Sequence, residues 1–152
     1  AAVGKDGDPA LMCQLYQTSL GEDCTPIHDA LRVCSILHER GYKLSIITNG
    51  RSTTQHSRLS HSELTPMISD LFISEELGCQ KPKKEFFDIV FSKLQIPVSK
   101  ALVIGDSLTS DIIGGIQYGI DTCWFNPNGS DNTMSQTPTY EIKQLSELLS
   151  IL

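Results

Sequence analysis

The stretch Ala101-Leu102-Val103-Ile104-Gly105-Asp106-Ser107-Leu108-Thr109-Ser110-Asp111 decides the fold. Its short apolar opening, closed by Gly105, reads as a strand over 101–105. The polar residues that follow lead into a helical pattern near 108–118. A strand that passes through a polar turn into a helix is half of a parallel crossover unit. Asp106 therefore stands at the strand's carboxyl end, and Asp111 lies about one helical turn further on.

The same alternation extends in both directions. Upstream, residues 43 to 48 form a β-rich run ending in the turn signal Asn49-Gly50, followed by a polar helix near 52–63. A strand near 70–75 precedes a helix from Lys83 to Leu94 whose Phe87, Val90, Phe91 and Leu94 share one face. Downstream come a strand over 120–126, a Pro/Asn/Gly/Ser loop over 127–138, and a final helix carrying Ile142, Leu145, Leu148 and Leu149. Before all of these lies a short helix over 10–20, broken by residues 21–25. Thr25 and Pro26 then fit an N-cap and first turn. That helix carries a stripe of Ile27, Ala30, Leu31, Cys34 and Leu37, and Gly41 stops it. Strands alternating with helices predict right-handed crossovers and a mostly parallel sheet with helices on both faces. Ligands of such sheets bind beyond the carboxyl ends of the strands.

Composition restricts the function. The chain has 152 residues, 39% hydrophobic and 20% charged, as an ordinary single domain has. No apolar run reaches the roughly 18 residues of a bilayer-crossing helix, which argues against a membrane partner. Residues 1–10 contain Lys5, Asp6, Asp8 and two glycines instead of an apolar signal core, so a cytoplasmic location is expected. Five cysteines with no Cys-x-x-Cys pair point to reduced thiols. A net charge of −6 opposes binding to a nucleic acid polymer but allows a small anionic substrate where positive charge is local.

Three polar groups stand at strand ends or helix starts. Thr48 with the backbone amides of Asn49 and Gly50 can donate to phosphate oxygens. Lys81 can neutralise charge on a transferring phosphoryl group, and Pro82 fits the first position of the next helix. Asp106 and Asp111 are hard oxygen ligands suited to Mg²⁺. Singly, each has a plain structural explanation as a turn, a solvated lysine or an N-cap; their order and spacing carry the signal. His28, His38, His56 and His61 lack metal-ligand spacing and read as surface residues. Trp124 reads as core, and Gly114, Gly115 and Gly119 as close packing of a helix on the sheet. Lys81, Lys83 and Lys84 form a basic cluster that opposes a helix dipole and so hints at a nearby anion.

In order and spacing, Ile47-Thr48-Asn49-Gly50, Gln80-Lys81-Pro82 and Ile104-Gly105-Asp106-Ser107-Leu108-Thr109-Ser110-Asp111 resemble the second, third and fourth motifs of the haloacid dehalogenase superfamily of phosphatases. The likeness runs from about residue 10 to the C-terminus. Thr48 to Arg58, Gln80 to Phe91, Gly105 to Gly115, Asp121 to Pro127 and Pro138 to Ile142 look like its pyrimidine 5′-nucleotidase branch. The resemblance implies a three-layer Rossmann-like core and a Mg²⁺-dependent phosphomonoester hydrolase. Thr48, Asn49 and Gly50 would hold the phosphate, Lys81 would bind phosphate and nucleophile, and Asp106 would ligate the metal. Asp111 would support the metal or orient Lys81. The implied substrate is a pyrimidine nucleoside monophosphate.

The family's nucleophile is an aspartate in a first motif, Asp-x-Asp-x-Thr, at the end of the central strand, and it forms an aspartyl-phosphate intermediate. No such motif occurs in the 152 residues. Asp6-Gly7-Asp8 has the spacing but is followed by Pro9-Ala10 and preceded by no strand pattern, so it reads as a loop. The expectation is a fragment without its nucleophile: residues 1–24 as the end of a helical cap and 25–152 as the core. Lacking the central strand, the sheet should have a gap between that strand's neighbours. Two other readings stand beside the enzyme: a non-catalytic phosphate-binding or assembly protein, and a Gly-Asp-Ser-Leu esterase with Ser107 as nucleophile. The second needs a histidine after Ser107, and all four histidines precede it.

Overall fold

The computed structural model describes residues 8–22 and 25–152. Helix α1 spans Pro9–Glu22. Asp8 caps it, its carboxylate accepting the Ala10 N–H at 2.9 Å, and Pro9 occupies the first helical position, where its missing N–H is harmless. Asp8 is thus a helix cap, in keeping with its reading as loop, while Asp6 and Gly7 lie outside the described residues.

Helix α2, Ala30–Glu39, starts later than Thr25-Pro26 suggested. Asp29 takes a left-handed backbone, φ 64°, which no continuous helix through 26–30 could contain. The buried stripe shifts with it, to Ala30, Val33 and Leu37. Ile27 and Leu31, assigned to the core from the pattern, are 56% and 37% exposed. Gly41, at φ 87°, ends the helix as expected.

Strand β1 (Leu44–Thr48) leads to helix α3 (Ser52–Ser60), and strand β2 (Ile68–Ile73) to a short helix, α4 (Ser74–Leu77). Helix α5 covers Lys84–Leu94 and begins after Pro82, which therefore precedes the helix instead of opening it; the Lys81-Pro82 peptide is cis. Strand β3 (Leu102–Gly105) passes through a π-helical turn, Leu108–Ile112, into helix α6 (Ile113–Tyr118). Strand β4 (Asp121–Phe125) follows.

The C-terminal helix expected to carry Ile142 is a strand at that point. Strand β5, Tyr140–Ile142, pairs with β4, and only after a 3-10 turn over Leu145–Glu147 does helix α7, Leu148–Ile151, form. Thr139 and Thr122 exchange backbone-to-hydroxyl hydrogen bonds at 3.0 and 3.3 Å, fixing the register. Ile142 and Leu148 enter the same core cluster, which is why their spacing imitates a helical face.

All the strand pairs are parallel, but they form two sheets, β1-β2 and β3-β4-β5. Strands β1 and β3 do not pair with one another, so each keeps an unpaired edge among the described residues, as the expected gap requires. Ile104 on β3 is correspondingly 39% exposed. One core packs Phe72, Phe86, Phe87 and Val90 against Val103 and Ile120; the other packs Val33 and Leu37 on Cys123, Ile142 and Leu148. Helix α6 sits close because Gly114 meets the Phe87 ring and Gly115 meets the Thr122 methyl, where a β-carbon would come within 2.7 and 2.5 Å. Trp124 is buried as expected.

Candidate active site

The carboxyl ends of β1 and β3 converge on one lysine. Thr48 closes β1, and the side chain of the next residue, Asn49, is a two-way clamp on the backbone of Lys81. Its Nδ2 donates to the Lys81 carbonyl at 2.9 Å, and its Oδ1 accepts the Lys81 N–H at 2.9 Å. The motif pattern assigns Asn49 a role only through its backbone amide. The clamp joins positions 32 residues apart, and a reciprocal pair of this kind leaves no signature in either local sequence.

Lys81 is buried, 6% exposed. Its ammonium donates to the Ile47 carbonyl at 2.7 Å and to Asp111 Oδ1 at 2.7 Å. Two of its three N–H donors are thereby committed, leaving one for a ligand. A buried ammonium without a counter-charge would be strongly unfavourable, so Asp111, itself 8% exposed, both neutralises and aims it. Asp111 Oδ2 in turn accepts the Ser107 N–H at 3.3 Å. The π-helical turn brings Asp111 back under Gly105, a placement that the five-residue spacing alone did not define.

Asp106 behaves differently. It is exposed at the end of β3, its backbone carbonyl accepts the Trp124 indole N–H at 3.0 Å, and its carboxylate has no partner among the described residues. A cleft of about 470 Å³ opens beside it, walled by Ile104, Trp124 and Asn126. Magnesium takes one or two carboxylates and fills its shell with water and substrate phosphate, so an unbonded exposed carboxylate fits that ion. Among the described residues no cluster of three or more His, Cys, Asp or Glu forms an all-protein cage.

The remaining candidates are accounted for structurally. All four histidines are exposed, and no hydrogen bond joins Ser107 to one among the described residues. Lys84 pairs with Asp88 at 2.6 Å and lies over the Tyr118 ring, which explains its place at a helix start without an anion. One cluster was not foreseen: Glu75 accepts the Ser52 N–H at 2.7 Å, and Glu76 accepts both the Ser52 hydroxyl at 2.5 Å and His56 Nε2 at 2.7 Å. Two carboxylates thus hold the N-terminus of α3, complementing its dipole and tying it to the segment that leads into Lys81. No helix among the described residues is long and apolar enough to cross a membrane.

A family model described as haloacid dehalogenase-like hydrolase matches residues 4–125. YfnB of Bacillus subtilis (strain 168) is 45% identical over 150 residues, covering 98% of this chain and 63% of YfnB. The pyrimidine 5′-nucleotidase PynA of Streptococcus pneumoniae (strain ATCC BAA-255 / R6) is 38% identical over 98% of this chain and 63% of its own length. The pyrimidine 5′-nucleotidase YjjG of Escherichia coli (strain K12) is 34% identical over 95% and 64%. A crystal structure of YfnB bound to magnesium superimposes with a TM-score of 0.91, covering 97% of this chain and 65% of that one. The chain therefore spans less than two thirds of the length of each of these relatives.

Proposed function

The chain belongs to the haloacid dehalogenase-like hydrolase family, and from that premise we propose that it is part of a longer protein, a Mg²⁺-dependent phosphomonoester hydrolase acting on pyrimidine nucleoside monophosphates. The observation that carries this reading is the buried lysine aimed from two sides. Lys81, fixed by Ile47 and Asp111, presents its remaining N–H beside the Thr48-Asn49-Gly50 turn. Thr48 hydroxyl and the Asn49 and Gly50 amides receive the phosphate oxygens, and Lys81 meets the charge that grows on them as the ester bond breaks. Because these donors are fixed before the substrate arrives, no reorganisation is needed during the reaction.

Asp106 is the residue we assign to the metal, and Asp111 the residue that holds Lys81, with its Oδ2 side turned to the Ser107 amide. Bound magnesium would neutralise phosphate charge there. The substrate class rests on PynA and YjjG, both named pyrimidine 5′-nucleotidases. The attacking carboxylate of the family's first motif has no counterpart in the 152 residues. We accordingly expect this polypeptide, produced alone, to release no phosphate, which is also what a purely phosphate-binding role would give.

The test is phosphate release by the full-length protein from uridine, deoxyuridine and thymidine monophosphates with Mg²⁺, with sugar phosphates as competitors. Wild-type turnover that falls by at least about 100-fold in both Thr48→Val and Lys81→Met supports the proposal. Absence of turnover on every phosphomonoester, or full activity in both variants, overturns it.

A further inference from the structure

A side chain at Gly50 would have to displace the end of Gln55. Gly50 is absent from the positive-φ positions, so its backbone is open to any L-residue. A β-carbon there, however, would lie 2.7 Å from Nε2, 3.0 Å from Cγ and 3.1 Å from Cδ of Gln55. The end of the Gln55 side chain therefore occupies the volume that a side chain at position 50 would fill, beside the turn that ends β1. Gln55 belongs to the early part of α3, its own backbone N–H bonded to the Arg51 carbonyl at 3.0 Å. Its side chain is half-buried, and the carboxamide has no hydrogen-bond partner among the described residues. The part-exposed amide keeps its hydrogen-bonding capacity for solvent or a ligand.

We infer that Gln55 is a substrate-contacting residue whose side-chain amide donates from Nε2 to a phosphomonoester held in the Thr48-Asn49-Gly50 turn. The inference rests on the phosphatase reading given above and adds to it a donor that neither the motif residues nor the metal supplies. Three features of the molecule converge on it: a turn that can hold phosphate, a missing β-carbon that admits the amide to that turn, and an amide bonded to nothing else. The amide is neutral, so it adds direction without adding charge. Gln55 belongs to α3, whereas Lys81 is fixed through the Ile47 carbonyl of β1. Gln55 and Lys81 would thus grip the phosphate group from different elements. The same packing makes the pair interdependent: a side chain at position 50 would push the amide away, and its loss should then be measurable apart from any change in the backbone.

The test uses the full-length protein, with orthophosphate binding followed by calorimetry and uridine monophosphate hydrolysis followed by phosphate release. Gln55→Met keeps the volume that packs on Gly50 and removes the donor; Gln55→Glu keeps the shape and replaces the donor by a negative charge. A hydrogen bond to a charged partner predicts at least about a tenfold loss of kcat/KM and of orthophosphate affinity in Gln55→Met, and a larger loss in Gln55→Glu, with thermal midpoints unchanged. Gly50→Ala should lose activity by a similar factor, and Gln55→Met combined with Gly50→Ala should cost less than the sum of the two in RT ln terms. Wild-type affinity and turnover in both Gln55 variants overturn the inference and leave the phosphatase reading intact. A wild-type protein that hydrolyses no phosphomonoester overturns that reading and this inference with it.

Discussion

The carboxylate of Asp111 lies against the α-carbon of Gly105, so that a β-carbon at position 105 would fall 2.5 Å from Asp111 Cγ and 2.6 Å from its Cβ. The glycine is what allows the fourth motif to fold back under its own strand and put Asp111 within 2.7 Å of Lys81. Gly105→Ala should displace Asp111 and destabilise the protein by about 1–3 kcal/mol, as overpacking does. If the proposed hydrolase activity is present, the full-length protein should also lose at least about tenfold in kcat/KM because Lys81 loses its aim. A urea midpoint and activity both equal to wild type would show that the site has slack at this point.

The two aspartates of the motif should separate cleanly by mutation. Asp111→Asn leaves a buried ammonium without its counter-charge and should cost about 3–5 kcal/mol of stability. Asp106→Asn alters an exposed, unbonded carboxylate and should stay within about 0.5 kcal/mol of wild type while abolishing the response to magnesium. Denaturant melts and a magnesium titration on both variants test this. Equal destabilisation by the two substitutions would contradict the division of roles.

Acid sensitivity should trace in part to Glu76. The Ser52 hydroxyl, and then His56, bond to its carboxylate and hold its pKa below the ordinary value of 4.5. A carboxyl with a depressed folded pKa stabilises the fold above its unfolded value and loses that contribution as pH falls through the folded one. Thermal midpoints of the wild type should therefore drop below pH 4.5 more steeply than those of Glu76→Gln. Parallel curves would remove Glu76 from the account.

At the alkaline end the relevant group is a thiol. Burial pushes Cys123 from 9.0 up to about 11, with Glu147 adding to the shift. A raised folded pKa means that the stabilisation is complete below 9.0 and is lost as pH rises toward about 11, because the unfolded chain ionises first. Cys123→Ala should lessen that alkaline loss. In native protein a thiol reagent should modify exposed Cys13 quickly and Cys123 only on unfolding. Rapid native labelling of Cys123 would contradict its burial.

Much of the architecture was legible in the chain because it depends on neighbours in sequence. Apolar runs such as 102–105 and 44–48 mark strands wherever they sit, and Gly41 ends a helix through its own backbone. The order of the three motifs likewise pointed to phosphate chemistry before any geometry existed. What misled was periodicity without partners. Ile142 and Leu148 match a helical face, yet β4 recruits Ile142 as a strand residue. Ile27 fits the stripe of α2, yet the left-handed Asp29 keeps it out of the helix, and the buried face falls on Ala30, Val33 and Leu37, leaving Leu31 exposed.

The sequence by itself determined which residues could carry charge and donate to phosphate, since side-chain chemistry is local. Only the tertiary structure decided where each of them stands and what it touches. It buried Lys81 between Ile47 and Asp111, left Asp106 open, made Asn49 a clamp, and laid Gln55 against Gly50. Burial, pairing and close approach join residues up to tens of positions apart, and a pairwise contact at that separation exists only once the chain has folded.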